Sequence, residues 1–122
     1  MNSSNIRVEG ITIAITNEDE MVKFYQNVFN IEFKQEDAFG STLYHGSVSS
    51  FNILLCPNKI ANVNAEKNRI QFDLVVTDLN ETIKVVTANG GSLLEEPKQH
   101  EQEVFGSVVD PDGNTIVLKQ YL

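Results

Sequence analysis

The chain begins with a strand-like pattern and then changes to a helical one. Ile6–Thr16 contains alternating apolar positions, Ile11, Ile13 and Ile15, and many β-branched residues, which predicts a half-buried β-strand. Asn17 and Glu20 then have the spacing of a capping box, in which each side chain binds a free backbone N–H at the start of a helix. The apolar residues that follow at helical spacing are Met21, Phe24, Tyr25 and Val28. The helix is predicted to end near Asn30, a residue type that tolerates the left-handed cap conformation.

Three short strands are predicted after this helix, and a polar segment follows them. The strand-like runs cover Ile31–Glu36, Ser41–Ser47 and Phe51–Cys56. Residues 58–69 are polar and show no periodicity, which predicts a linker. Residues 6–57 are therefore expected to form a first βαβββ module.

The same order of patterns occurs in the second half of the chain. Ile70–Thr77 alternates like a strand. Asp78 and Glu81 then repeat the capping-box spacing, and Asn89-Gly90-Gly91 predicts the end of the second helix. Three further strands are predicted over Ser92–Glu95, Val104–Asp110 and Thr115–Tyr121.

The two halves overlay on each other. Asn17 and Asp78, the predicted helix caps, lie 61 residues apart, and a strand, a helix and three strands occur in the same order around each. This match predicts an α+β fold with an internal repeat, in which residues 70–122 form the second module of a single domain, residues 1–122. Each half has too small a core to be stable alone, so the two modules are expected to pack together.

Two motifs occur within this repeated pattern. Phe24-Tyr25 is followed by Val28-Phe29-Asn30, and Asp110-Pro111-Asp112-Gly113-Asn114 forms a turn before the last predicted strand. With these motifs and the doubled βαβββ pattern, nearly the whole chain resembles the vicinal oxygen chelate superfamily, which includes glyoxalase I, extradiol dioxygenases, and bleomycin and fosfomycin resistance proteins. The resemblance implies two modules whose mixed sheet curls into a cup with the helices outside, commonly completed in a homodimer.

The resemblance also implies where a metal ion would bind, and the chain departs from the family pattern there. Enzymes of the family hold a divalent ion with His and Glu side chains, and the corresponding positions here are Gly10, Leu54, Gln71 and Val117. Three of these offer no donor atom, and only Gln71 has one. We therefore expect no metal ion and no other cofactor. A shift of one residue in the alignment would put Glu9 in the place of Gly10.

Strand alternation, combined with the resemblance, selects the side chains expected to line the cup. Seven residues are predicted to bind a ligand: Thr12, Tyr44, His45, Gln71, Asp73, Phe105 and Lys119. Tyr44 and His45 are neighbours on one strand, so one of them must face away from the cup. Asp73 and Lys119 are expected to face the same way, either as a salt bridge or as groups that orient a ligand. No catalytic residue is assigned, and His100 is expected to lie in a solvated loop.

The charge balance narrows the choice of partner. The 17 acidic and 9 basic residues give a net charge of −8, and the basic residues are scattered along the chain. Nucleic-acid binding is therefore not expected, whereas a cationic small molecule would be attracted. No apolar run is long enough to cross a membrane and the first residues lack a signal-peptide pattern, so a cytoplasmic location is expected. The single cysteine, Cys56, lies in an apolar run and is expected to be buried.

The sequence favours a metal-free protein that binds or sequesters a small organic molecule in the cup, as bleomycin-resistance-like members of the superfamily do. The first alternative is an enzyme, either a glyoxalase-like lyase or isomerase or a dioxygenase, whose metal ion is held at a nonstandard site that includes Gln71 or His45. The second alternative is a regulatory or scaffold module whose cup is filled by its own side chains.

Overall fold

The computed structural model of the chain describes residues 10–61 and 71–122. The elements of the first stretch are β1 (Gly10–Ile15), α1 (Glu18–Phe29), β2 (Lys34–Ala38), β3 (Ser41–Val48), β4 (Phe51–Pro57) and the short helix α2 (Asn58–Ala61). The elements of the second stretch are β5 (Phe72–Val75), α3 (Leu79–Ala88), β6 (Ser92–His100), β7 (Glu103–Val109) and β8 (Thr115–Tyr121). Helix α2 lies within the segment expected to be a linker. No helix of the described stretches is long and apolar enough to cross a membrane.

The strands form two four-stranded sheets with the same internal order. The first sheet runs β1-β4-β3-β2 and the second runs β5-β8-β7-β6. In each sheet the first strand of the module pairs in parallel with the last, and the remaining pairs are antiparallel. The α+β class with two βαβββ modules is therefore confirmed, and the pairings recorded among the described strands stay within one sheet or the other.

Two strands, β2 and β6, differ most from their predicted bounds. β2 begins at Lys34 rather than at Ile31, because Ile31 is buried and packs against Gly46 under the first sheet instead of joining the strand ladder. β6 extends to His100, which pairs with Glu103, so the expectation that His100 lies in a loop was wrong. Two irregularities in the β6–β7 register let the strand continue past Pro97, which has no N–H to donate.

One hydrophobic core is shared by both modules. Its buried side chains come from both sheets and from α1 and α3, and they include Ile15, Phe24, Leu55, Val86, Ile116 and Leu118. Phe24 of α1 approaches the start of β6 so closely that a Cβ atom on Gly91 would lie 2.6 Å from its ring. Gly91 is therefore needed for the packing of the two modules, in addition to following the helix end. The pairing of the modules gives each a core that neither would have alone.

The two predicted capping boxes have different outcomes. Asp78 caps α3, since its side chain accepts a hydrogen bond from the N–H of Glu81, but the reciprocal bond from the N–H of Asp78 to the Glu81 side chain is not formed, so the predicted box is half present. Asn17 precedes α1 but makes no side-chain cap bond to the helix, so the prediction of a capping box at Asn17 was wrong. Its side-chain amide donates instead to Asp112, in the turn between β7 and β8. At the other end of α1, Asn30 has the left-handed conformation that was predicted.

Asp112 holds the start of α1 with one carboxylate. Its oxygens accept hydrogen bonds from the backbone N–H of Thr16 at 2.8 Å and of Asn17 at 3.0 Å. The hydroxyl of Thr16 donates at 3.0 Å and the side-chain amide of Asn17 at 2.7 Å. A turn of the second module thus supplies the acceptor that usually comes from the residue at the helix start.

Asp110 fixes the same turn from inside. It is buried, and its carboxylate accepts hydrogen bonds from the phenol of Tyr25 at 2.9 Å, from the N–H of Asp112 and Asn114 at 2.9 Å, and from the side-chain amide of Asn114 at 3.0 Å. Burial raises the pKa of Asp110, and the hydrogen bonds oppose that rise. Burial and the Asp110 carboxylate raise the pKa of Tyr25 far above its ordinary value, so the phenol stays protonated and remains a donor.

Removal of the Asp112 carboxylate should destabilise the whole domain. We expect Asp112→Ala to lower the free energy of unfolding by about 1–2 kcal/mol, as the loss of a helix cap does, because four donors lose their acceptor. Chemical denaturation followed by circular dichroism measures the change. Glu96→Ala, at an exposed carboxylate of β6, is the control and should change stability little. Equal stability of the two variants would show that Asp112 does not anchor α1.

The hairpin between β2 and β3 carries backbone strain. Ala38 pairs with Ser41, so Phe39 and Gly40 form a two-residue loop in which both have positive φ angles of 55° and 73°. Such loops favour Asn-Gly, because a side chain with a Cβ is disfavoured in the left-handed region. Phe39 is 83% exposed and so gains little from packing in return.

Replacement of Phe39 by a residue suited to this turn should stabilise the protein. We expect Phe39→Asn to raise the free energy of unfolding by about 1 kcal/mol, since the left-handed conformation costs about that much for residues with a Cβ. Phe39→Ala is the matched control, because it removes the ring but keeps the disfavoured backbone. A thermal melt that gives the same shift for both variants would mean that exposure of the ring, not the backbone, is the source of the cost.

Candidate functional site

The first sheet has one exposed face, and its residues follow from the strand register. Thr12 lies level with Leu54, Leu54 with His45, and His45 with Lys34, so one row of side chains crosses all four strands. The alternate residues of the same strands point the other way into the core, among them Ile13, Ile15, Tyr44 and Leu55. Two of the seven predicted ligand-binding residues, Thr12 and His45, therefore lie on this exposed face.

His45 is paired with an acid on this face. Its Nε2 lies 3.1 Å from Oε1 of Glu36, and the two side chains are 49% and 58% exposed. If Nε2–H donates to Glu36, the neutral ring keeps Nδ1 as an acceptor. The pair is accessible enough to meet a ligand, and because it is solvated it adds little to stability.

Tyr44 lies on the opposite face of the same strand. It is buried, and its hydroxyl donates to Oε1 of Glu18 in α1 at 3.2 Å. Burial, together with the Glu18 contact, raises the pKa of Tyr44. The two-residue period of the strand thus separates Tyr44 from His45, and Tyr44 has no part in the exposed face.

The second sheet also has an exposed face, and it is more apolar. Val75 lies level with Lys119, Lys119 with Phe105, and Phe105 with Lys98. A neighbouring row runs from Asp73 through Val117 and Ser107 to Glu95. Ser107 is buried within this row, and its hydroxyl donates to Glu95 at 3.0 Å. Val75, at the end of the outer strand β5, is 62% exposed, and Phe105, on the inner strand β7, is 37% exposed. An accessible Phe is unusual in the middle of a sheet.

The structure places three more predicted residues on this second face. Asp73, Phe105 and Lys119 share it, and Gln71 is exposed immediately before β5. Within the described residues no ion pair joins Asp73 to Lys119, because Lys119 lies level with Val75 and the two charges are diagonal to each other. The expected salt bridge is therefore not formed.

The positions implied for a metal ion do not form a donor set. Gly10 and Leu54 lie on the exposed side of the first sheet, and Val117 lies on that of the second. Residues 10–61 and 71–122 contain no group of three or more His, Cys, Asp or Glu side chains that could hold an ion. A hydrogen atom, two hydrocarbon side chains and one amide do not fit a borderline divalent ion, which requires several nitrogen, sulfur or carboxylate donors.

Cys56 is not a reactive group at this site. It is buried near the junction of β4 and α2, as the sequence predicted. Burial raises the pKa of its thiol, which keeps it protonated at neutral pH.

A cavity that the sequence did not predict lies beside β5. Its volume is about 590 Å³. It is bounded by the end of α1, the turn between β3 and β4, the edge of β5 and one residue of α3, and its lining includes Phe29, Ser49, Phe51, Asp73, Thr77 and Thr82. These residues come from four separate parts of the chain, so no local pattern could have revealed the cavity.

Comparison with known proteins identifies what the chain is similar to. A family model described as a glyoxalase-like domain matches residues 10–118. A search of curated proteins by sequence gave no match.

Similar solved structures cover almost the entire chain. A glyoxalase/bleomycin resistance protein/dioxygenase family enzyme from Burkholderia phytofirmans PsJN has a TM-score of 0.77 and 16% identity, over 96% of this chain and 100% of its own. A glyoxalase-related enzyme from Fulvimarina pelagi has a TM-score of 0.75 and 17% identity, over 93% and 87%. TnmS3, an antibiotic binding protein from Streptomyces sp. CB03234, has a TM-score of 0.69 and 14% identity, over 96% and 97%. At these identities the likeness shows the fold alone.

Proposed function

Since the chain belongs to the glyoxalase-like domain family, we propose that it is a cytoplasmic protein that binds a small organic molecule on the exposed faces of its sheets, without a metal ion. The observation that carries this proposal is the second sheet, where exposed Val75 and Phe105 and half-buried Val117 form an apolar surface between the charges of Asp73 and Lys119. An apolar surface with a few polar groups that fix orientation is the usual composition of a small-molecule site.

The chemistry of this face favours a flat organic cation. The ring of Phe105 can stack on an aromatic ligand or lie against a positive group. Asp73 and Glu95 supply carboxylates on the same face, and Lys98 and Lys119 flank Phe105 there, so the charges of the face nearly balance. The preference for a cation therefore rests on the net charge of −8, which raises the local concentration of cations. Thr12 and His45 of the first sheet would contribute polar contacts. One structural neighbour is itself named an antibiotic binding protein, which supports sequestration of a drug-like molecule.

A second copy of the chain would complete the site. The two exposed faces belong to different sheets, and each lies on the side away from the common core. The outer strand β2 is protected against association by the charges of Lys34, Glu36 and Asp37, and β6 is protected by its register irregularities. The remaining outer strands are β1 and β5. β5 carries Asp73, whereas β1 contains no charged residue over Gly10–Ile15 and pairs only with β4 among the described strands, so its outer edge is the natural interface of a homodimer.

The binding proposal is tested with two dyes of similar size and opposite charge. Ethidium should bind the protein more tightly than fluorescein, and Phe105→Ala should weaken ethidium binding about fivefold, because a stacked ring contributes about 1 kcal/mol. Fluorescence anisotropy measures both affinities. Phe39→Ala is the matched control, since Phe39 is exposed on a hairpin away from the site. Equal loss in the two variants, or no ethidium binding, would contradict the proposal.

The metal content of the purified protein tests the enzymatic alternative. Protein purified without chelators, offered Zn²⁺, Ni²⁺, Mn²⁺ and Fe²⁺ and then desalted should retain none of them in elemental analysis, because the donor set is insufficient. Retention of one ion per chain would contradict the metal-free proposal. It would favour a lyase, isomerase or dioxygenase with a nonstandard metal site.

The homodimer is tested by light scattering on a sizing column. The protein should elute with twice the mass of one chain, and Thr12→Lys on β1 should shift it to the monomer, because like charges would face each other across the interface. Gln35→Lys on the already charged strand β2 should leave the mass unchanged. A wild-type monomer, or a dimer that survives Thr12→Lys, would contradict an interface at β1.

A further inference from the structure

The internal repeat makes two strand-to-helix junctions directly comparable. Thr16-Asn17 connects β1 to α1, and Thr77-Asp78, 61 residues later, connects β5 to α3. A threonine followed by a helix cap occupies both junctions. The partners of the first junction therefore indicate what the second could bind.

The first junction is a carboxylate site that the chain fills by itself. The N–H groups of Thr16 and Asn17 and the hydroxyl of Thr16 all donate to the carboxylate of Asp112. Three donors from two consecutive residues thus surround one anion, in the geometry of strong charge-assisted hydrogen bonds.

The second junction has no carboxylate partner, although the next N–H along the chain, that of Leu79, donates to the side-chain oxygen of Gln120 at 2.7 Å. The equivalent hairpin is the one between β3 and β4, where Val48 pairs with Phe51 and leaves only Ser49 and Ser50 in the turn. In the second module the turn from Asp110 to Asn114 has three more residues and carries the acid. Among the described residues, nothing accepts a hydrogen bond from the N–H or hydroxyl of Thr77 or from the N–H of Asp78.

The cavity beside β5 lies where the missing carboxylate would be. Thr77 and Ser49 both line it, so it is bounded by the unfilled junction and by the shortened turn. Thr82, which also lines it, corresponds in the repeat to Met21, a fully buried residue of the first module. The β3–β4 turn is shorter than the β7–β8 turn, and Thr82 is smaller than Met21. Together these differences account for the cavity of about 590 Å³.

We propose that this cavity binds a small molecule consisting of a carboxylate and an apolar body. The carboxylate accepts from the N–H groups of Thr77 and Asp78 and from the hydroxyl of Thr77, as Asp112 does in the first module. The apolar body lies against the side chains that form the rest of the wall, Val28, Phe29, Val48, Phe51 and Val76. The cavity shares Asp73 and Val75 with the exposed face of the second sheet. Its proposed carboxylate donors, Thr77 and Asp78, lie beyond the end of β5, so the proposal does not depend on the function proposed for that face.

The two carboxylates near the cavity, Asp78 and Asp73, do not occupy the proposed anion site at the junction. The carboxylate of Asp78 is already bonded to the N–H of Glu81 at 3.1 Å and is turned toward its own helix. Asp73 lies four residues from Thr77, which is about 13 Å along an extended strand. The apolar side chains between Thr77 and Asp73 would separate the bound carboxylate from the carboxylate of Asp73.

The test uses hexanoate, with hexanol as a probe that has the same apolar body and no charge. In a proton–nitrogen correlation spectrum, hexanoate should shift the amide signals of Thr77 and Asp78, and hexanol should leave these two signals unchanged. Thr77→Val keeps the shape of the side chain but removes its hydroxyl, and it should weaken hexanoate binding about tenfold. Thr87→Val, on the exposed side of α3, is the control and should bind hexanoate like the wild type.

A second variant fills the cavity with the residue of the other module. Thr82→Met should abolish hexanoate binding, and its thermal melt should show that the protein is still folded. Hexanoate that leaves the Thr77 and Asp78 amides unshifted, or that binds folded Thr82→Met as tightly as the wild type, would overturn the proposal. Neither result would affect ethidium binding at Phe105, so failure here is distinguishable from failure of the proposed function.

Discussion

The turn between β7 and β8 joins the two modules, and the remaining packing depends on it. Buried Asp110 accepts hydrogen bonds from within the turn and from Tyr25, while Asp112 accepts from both residues that precede α1. An ionised group is costly to bury unless it is fully hydrogen-bonded, so the position of α1 and the shape of the turn are fixed together. The Asp-Pro-Asp-Gly-Asn motif is therefore more than a hairpin loop.

The fixed position of α1 determines which faces of the sheets are free. The helices bury one side of each sheet, and the two-residue period of a strand then leaves every alternate side chain exposed. His45 is exposed and Tyr44 buried for this reason alone. On the second sheet the same alternation leaves Val75 and Phe105 accessible, which gives that face the character of a binding surface.

The repeat is most informative where its two copies differ. Both modules have a threonine before the helix, but only the first receives a carboxylate from the neighbouring hairpin. Three fewer residues in one turn and a threonine in place of a methionine account for the cavity beside β5. The difference in turn length therefore leaves the junction before α3 without a carboxylate, whereas Asp112 occupies the equivalent junction before α1.

Much of the architecture follows from the sequence, because it depends on local chemistry. Alternation and helical spacing predicted the order of the strands and the two long helices, and Asp78 and Asn30 behave as helix caps because they act on residues only a few positions away. The sequence also shows that Gly10, Leu54 and Val117, the positions at which the resemblance implies metal ligands, have no side-chain donor in any fold.

Only the tertiary structure decided what depends on residues distant in the chain. Asn17 has the spacing of a capping box, yet Asp112, 95 residues away, provides a better acceptor and changes its role. His100 joins a strand because β7 offers a pairing partner that the polar sequence around it does not predict. The choice between Tyr44 and His45, and the existence of the cavity, required the position of α1. Hydrogen bonds and packing between distant segments override local preference, because each segment takes the partner that the folded chain brings to it.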